Sequence, residues 1–193
     1  MDRKRILRLS LIIVIVLSFI LIFIENATIH GEATQGDITS NVSVFLSLAI
    51  DFSDDLRDGI LFGDVITLPV TNLDATGNYN GSSNSTSYYI LVSPDGNTPI
   101  DLCLDVSSPL MTDSLEEIGV ANETYSHSTE SNLTLPDEGE EYPFSLTYEK
   151  AGSNIPTGGI NYMRFWLDIP TGQPPGDYNN SVNFRAIPTG LNC

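Results

Sequence analysis

The chain has 193 residues, of which 41% are hydrophobic and 17% charged, and its 25 acidic and eight basic side chains give a formal net charge of -17. That length holds one domain of ordinary size with a real core. The acidity disfavours nucleic acid and anionic lipid as partners, because both are polyanions. Four of the bases, Arg3, Lys4, Arg5 and Arg8, precede an apolar run, which leaves 24 acids against four bases from Glu25 onward.

In chain order, the basic Met1–Arg8 stretch is followed by Leu9–Ile24 (LSLIIVIVLSFILIFI), apolar except for two serines. A basic flank followed by an apolar helix marks export with the N-terminus left inside. Residues 1–24 are therefore expected to be a signal peptide or signal anchor. Sixteen helical residues reach about 24 Å, short of a hydrocarbon core of about 30 Å, and Gly31-Glu32-Ala33 offers a small-residue cleavage site. Cleavage is the preferred reading. Retention as an anchor, with Arg8 snorkelling, is the alternative. Either outcome puts the remainder at the cell surface or outside the cell. Residues 25–40 are polar and aperiodic and read as a linker.

From residue 41 onward the period is two. Val42, Val44, Leu46, Leu48, Ile50 and Phe52 alternate with Ser43, Phe45, Ser47, Ala49 and Asp51, a long strand. Ile66, Leu68 and Val70 make a second run, and Tyr88, Ile90 and Val92 a third. Ile100, Leu102, Leu104 and Val106 make a fourth, with Asp101, Cys103 and Asp105 on its polar face. Ile118–Thr124 is a weaker strand. Tyr142, Phe144, Leu146 and Tyr148 are a clear one, as are Met163, Phe165, Leu167 and Ile169. In the last, Tyr178, Val182, Phe184 and Ala186 face one way. The longest helical candidate is Asp113–Ile118.

Asp-Gly at 58–59 and 95–96, Asn-Gly at 80–81, Gly-Gly at 158–159 and Pro-Pro-Gly at 174–176 separate the runs. About eight short strands with such turns read as an all-β fold, a single antiparallel β-sandwich over 41–193, preceded by an N-terminal hydrophobic helix.

Two cysteines in an exported chain, Cys103 and Cys193, read as a disulfide. It is placed at the surface, since Cys103 alternates with the aspartates. Seven Asn-x-Ser/Thr sequons, at Asn26, Asn41, Asn80, Asn84, Asn122, Asn132 and Asn179, are candidate glycosylation sites. Asp51, Asp54, Asp55, Asp58 and Asp64 crowd one loop. Calcium is the cofactor that such carboxylates would hold, but the spacing matches no EF-hand and a solvated acidic loop is preferred. Tyr162, Arg164 and Trp166 share the polar face of their strand. They are either a carbohydrate- or protein-binding face or plain cross-strand packing. His30 and His127 lie apart from each other and from the cysteines, and no nucleophile elbow is present. The chain is expected not to be an enzyme.

The stretch RFWLDIPTGQPPGDYNNSVNFRAIPTG carries Ile169-Pro170, then Pro174-Pro175-Gly176-Asp177-Tyr178, then the alternating Val182–Ile187. It resembles the last two strands of Ig-like domains in prokaryotic, especially archaeal, surface proteins. The whole plan is similar in layout to the TasA/camelysin type of biofilm-fibre subunit and to archaeal bundling pili. What that resemblance implies is assembly by strand donation, with Thr34–Phe52 as the candidate donor and self-association or other surface proteins as partners. If the leader is retained, the membrane becomes a partner and an anchored binding module is the alternative. Val42–Phe52 is equally readable as the first strand of its own sandwich.

Overall fold

The computed structural model describes residues 48–81 and 84–193. The expected leader, the linker, the alternating residues from Val42 to Ser47 and the sequons Asn26 and Asn41 lie outside the described residues. Among the described residues no helix is long and apolar enough to cross a membrane.

In order come β1 (Ile50–Phe52), α1 (Asp54–Asp58), β2 (Val70–Asp74), β3 (Tyr89–Val92), β4 (Ile100–Val106), β5 (Leu110–Met111) and β6 (Glu117–Ile118). They are followed by β7 (Glu123–Ser128), β8 (Tyr142–Pro143), β9 (Glu149–Ile155), β10 (Ile160–Ile169) and β11 (Val182–Pro188). The fold is all-β, and its sheets pair antiparallel throughout. β10 is the spine of the larger sheet. β7 runs along one edge of it, from Tyr162 opposite Ser128 to Leu167 opposite Glu123. Its other edge is shared, with β3 pairing near Ile160 and β2 near Trp166. β1 and β8 complete that sheet outside β3 and β7. The smaller sheet has the order β11-β4-β9, and β5 and β6 form a separate hairpin.

The core fills the space between the sheets. Ile90, Val92, Tyr125, Met163 and Phe165 meet Ile100, Leu102, Leu104, Val106, Ala151 and Ile155, all buried. Tyr88 sets its ring edge-on to Phe165 at 5.3 Å, and Phe144 stacks on Phe165 at 6.2 Å. Each fully buried side chain of this size contributes about 1.5–3 kcal/mol. The alternation along β4 and β10 is the direct cause, since a period of two turns one apolar set to a single face.

Four expectations need correction. First, Cys103 does face away from the core, and it is bonded to Cys193 at 2.05 Å. It is nevertheless wholly buried, as is Asp101, at 2% exposure. The chain after β11 returns over this face. Gly190 N–H and Lys150 Nζ donate to Asp101 Oδ2 at 3.1 and 2.6 Å, and Asn154 N–H donates to Oδ1 at 2.8 Å. The disulfide is therefore roofed by the tail it anchors.

Second, Ile66 and Leu68 are not strand residues. The strand begins at Val70, and Ile66 is 94% exposed. Third, β8 stops at Pro143: Phe144 N–H still donates to Glu123 O at 2.9 Å, but Ser145 O already accepts from Val106 N–H of β4 at 2.9 Å, so the chain crosses to the smaller sheet. Phe144 is buried, while Tyr142 and Leu146 are exposed. Fourth, Asp113–Ile118 is not helical, and the short helix lies at Asp54–Asp58, capped by Ser53 Oγ.

β9 (EKAGSNI) has no counterpart in the sequence reading. Gly152 lets it lie against β10: a Cβ there would sit 2.9 Å from Ile155 Cδ1 and 3.3 Å from Asn161 Oδ1.

Candidate binding groove

Three strands do not cover the larger sheet. β9 lies over β7 and β10, while β11 lies over β1, where Phe52 and Phe184 pack with ring centroids 5.5 Å apart. Beyond β11 the strip of apolar surface left over is flanked by residues 59–69, which run without helix or strand. Asp58-Gly59 starts this segment, with Gly59 at φ 112° closing the short helix. Ile60 and Phe62 pack against the core, while Leu61 and Ile66 project outward.

Between this segment, β11 and the loop 173–180 opens a groove of about 920 Å³. That is at the upper end of ligand-site volumes. Its lining is mixed: the apolar side chains of Ile60, Phe62 and Val65 stand on one side, Val182 and Phe184 on another, and Leu110, Ile118, Leu167 and Ile169 behind, with Asp64, Gln173, Asp177, Asn179 and Asn180 among them. Among the described residues no strand pairs with the outer edge of β11. The Pro-Pro-Gly turn forms the rim. Tyr178 Oη donates to Pro174 O at 2.8 Å and accepts from Gln173 Nε2 at 2.8 Å. Tyr178 therefore precedes β11, as a latch on the turn, and is not its first residue.

One polar side chain reaches the groove from within. Glu123 opens β7 and lies in phase with Tyr125, so it points between the sheets, and it is 3% exposed. Its Oε2 accepts from Asn180 Nδ2 at 2.9 Å. Burial pushes this carboxyl up to about 7, and the Asn180 bond only partly opposes that. A buried acid whose carboxyl is pushed up by burial, standing in the wall of a groove, is a functional-site signal. The sequence reading missed it. The available signal was a carboxylate in register with Tyr125 and His127.

The other expected sites are placed as follows. Arg57 forms ion pairs with Asp51 and with Asp54, the latter at 3.7 Å. Asp54 and Asp55 sit in the first turn of α1. Among the described residues no group of three or more metal-ligating side chains converges, so Asp51, Asp54, Asp55 and Asp58 are not brought together as a calcium cage.

Arg164 and Trp166 do face away from the core, but both are 1% exposed. The polar face of β10 is covered here by residues 78–81, Asn84 and the loop 132–136. Arg164 donates to their carbonyls: Nε to Asn78 at 3.0 Å, Nη1 to Pro136 at 2.8 Å and Leu133 at 3.4 Å, and Nη2 to Asn132 at 2.6 Å and Asn84 at 3.3 Å. Its guanidinium also lies 4.2 Å from the Tyr79 ring centroid. Tyr162 is half-buried against Tyr89. The three residues thus form a packed layer and no open binding face. Of the described sequons, Asn80, Asn84, Asn132 and Asn179 are exposed and Asn122 is half-buried.

No protein-family profile matches this sequence, and a search of curated proteins finds no match.

Proposed function

We propose that this chain is an exported, non-enzymatic structural subunit of an extracellular or cell-surface assembly, built by donation of a strand from one copy to the next. The observation that carries the reading is the groove lined by Val182 and Phe184 of β11, a strand whose outer edge pairs with no other among the described residues. An added strand there gains backbone hydrogen bonds from β11 and covers the apolar side chains.

The donor narrows to residues 34–47. Ile50–Phe52 is already spent on its own sheet, with Ile50 opposite Val92 and Phe52 opposite Ile90. Residues 38–47 (ITSNVSVFLS) carry apolar side chains at alternate positions and no charge. The buried disulfide fits an oxidising compartment, and the exposed Asn80, Asn84 and Asn132, which do not line the groove, are the proposed glycan carriers. Self-association is the proposed partnership. With Arg164 and Trp166 buried, the alternative of an anchored carbohydrate-binding module has no exposed aromatic face on β10.

The test is electron microscopy of the natural protein, purified with its N-terminus sequenced, beside a variant lacking residues 34–47. Filaments from the first and monomers from the second are expected. Filaments that persist without this segment refute the reading.

A further inference from the structure

We propose that Glu123 puts the groove under proton control: the uncharged strand 38–47 of a second copy seats fully only over a neutral Glu123 carboxyl. The inference rests on the strand-donation reading and deepens it.

Three observations carry it. Glu123 is almost wholly buried, yet it stands at the inner wall of an open groove, directly across the ladder from Leu167. Among the described residues its hydrogen-bond donor is one neutral amide, Asn180 Nδ2, and no cation lines the groove. Apolar side chains of β10 and β11 line the groove beside it, so an uncharged strand seated there shields the carboxyl further and brings no counter-charge.

The other ionisable groups facing the groove are Asp64, Asp177 and Tyr178. The two aspartates are exposed to solvent, and the Tyr178 hydroxyl is engaged by Pro174. β10 and β11 face the groove with aliphatic and aromatic side chains only. Glu141 bonds Thr124, on the opposite face of β7. Proton uptake on closing the groove therefore falls on Glu123. The carboxyl already titrates near 7 when the groove is open, and sealing it under apolar side chains favours the neutral form further. If only the neutral form accepts the strand, apparent affinity scales with the neutral fraction. Between pH 5.5 and 8.5 that fraction falls roughly 30-fold.

The probe is a fluorescent synthetic peptide of residues 38–47, which has no titratable side chain. Its binding to the full chain is followed by anisotropy at pH 5.5 and 8.5. Roughly 30-fold tighter binding at pH 5.5 is expected for the wild type. Glu123→Gln, checked for folding by circular dichroism, is expected to bind equally at both pH values. Equal binding by the wild type at both pH values overturns proton control and leaves strand donation standing, and this readout needs no variant. A pH ratio that survives in Glu123→Gln assigns the effect to another group and also overturns the proposal. Absence of binding at either pH, in both proteins, overturns strand donation into this groove and the proposal with it.

Discussion

Replacing Arg164 with methionine should unfasten two loops and cost the domain about 3–5 kcal/mol, since each buried carbonyl left without its donor costs about 1–3 kcal/mol and the relieved desolvation offsets part of the sum. Three of the five guanidinium bonds are 3.0 Å or shorter, to Asn78, Pro136 and Asn132. A hydrogen bond from a charged donor contributes about 1.5–3 kcal/mol, and the contact with Tyr79 adds about 1 kcal/mol. Against this, methionine relieves the desolvation that burial imposes on the guanidinium and that lowers its pKa. The volume is largely conserved, so the loss reports orphaned carbonyls and not a cavity. For a domain of this size the melting temperature should fall on the order of 10 °C.

Urea unfolding is followed by circular dichroism and by the single tryptophan, Trp166, which is buried on the same face of β10. Hydrogen exchange should rise first at residues 78–81, at Asn84 and at 132–136. A lysine at 164 offers three donors at one point and cannot span five carbonyls, so it should recover only part of the loss. If the methionine variant stays within about 1 kcal/mol of wild type and both loops keep their protection, the clamp reasoning is wrong.

Three further outcomes are expected. Glu123 binds its proton in the folded state up to about pH 7 but releases it near 4.5 when unfolded. Stability should thus fall as pH rises between these values, by about 3 kcal/mol in all. Glu123→Gln should flatten that slope in urea melts at pH 4.5, 6 and 8, and an unchanged slope would assign it elsewhere. Reducing the disulfide opens a link with a sequence separation of 90 residues. It should cost about 4 kcal/mol and make residues 189–193 accessible to carboxypeptidase, and a melt unaffected by reductant contradicts this. Burial raises the Asp101 carboxyl, but bonds from Lys150, Asn154 and Gly190 outweigh it and hold the carboxyl below its usual value. Its ionised form therefore stabilises the fold above pH 3.8 or so, and that contribution disappears as pH drops through the lowered value. Asp101→Asn should cost about 2–3 kcal/mol at neutral pH and steepen no further in acid, as thermal melts at pH 7 and 3 would show.

The strands that were legible are those whose two faces differ in chemistry over many residues. β4 and β10 alternate cleanly, and their inward sets are the core as read. β9 escaped because its seven residues include Lys150, Gly152 and Asn154, the last at φ 51°. Its place comes from tertiary fit against Asn161, whose Nδ2 donates to Ala151 O. Alternation also gives direction but not cover. Cys103, Arg164 and Trp166 all point as their spacing dictates, yet each lies under chain from elsewhere: the tail near Gly190 over Cys103, and loops 28 to 86 residues away over Arg164. No local pattern reports such a roof. The groove was illegible for a related reason, because it arises from the unequal size of two sheets, and only Glu123, out of place among aromatic neighbours, marked it in the sequence.

The bond between Cys103 and Cys193 has a mechanical side. β11 is both the wall of the groove and the last strand of the smaller sheet, held to β4 by one ladder. A strand seated on its outer edge would, under tension, tend to peel it away one hydrogen bond at a time. The covalent tie from just beyond β11 into the middle of β4 would stop that peeling from running to completion, so that, if strands are donated as proposed, load would pass into the central strand and the domain would stretch before two copies came apart.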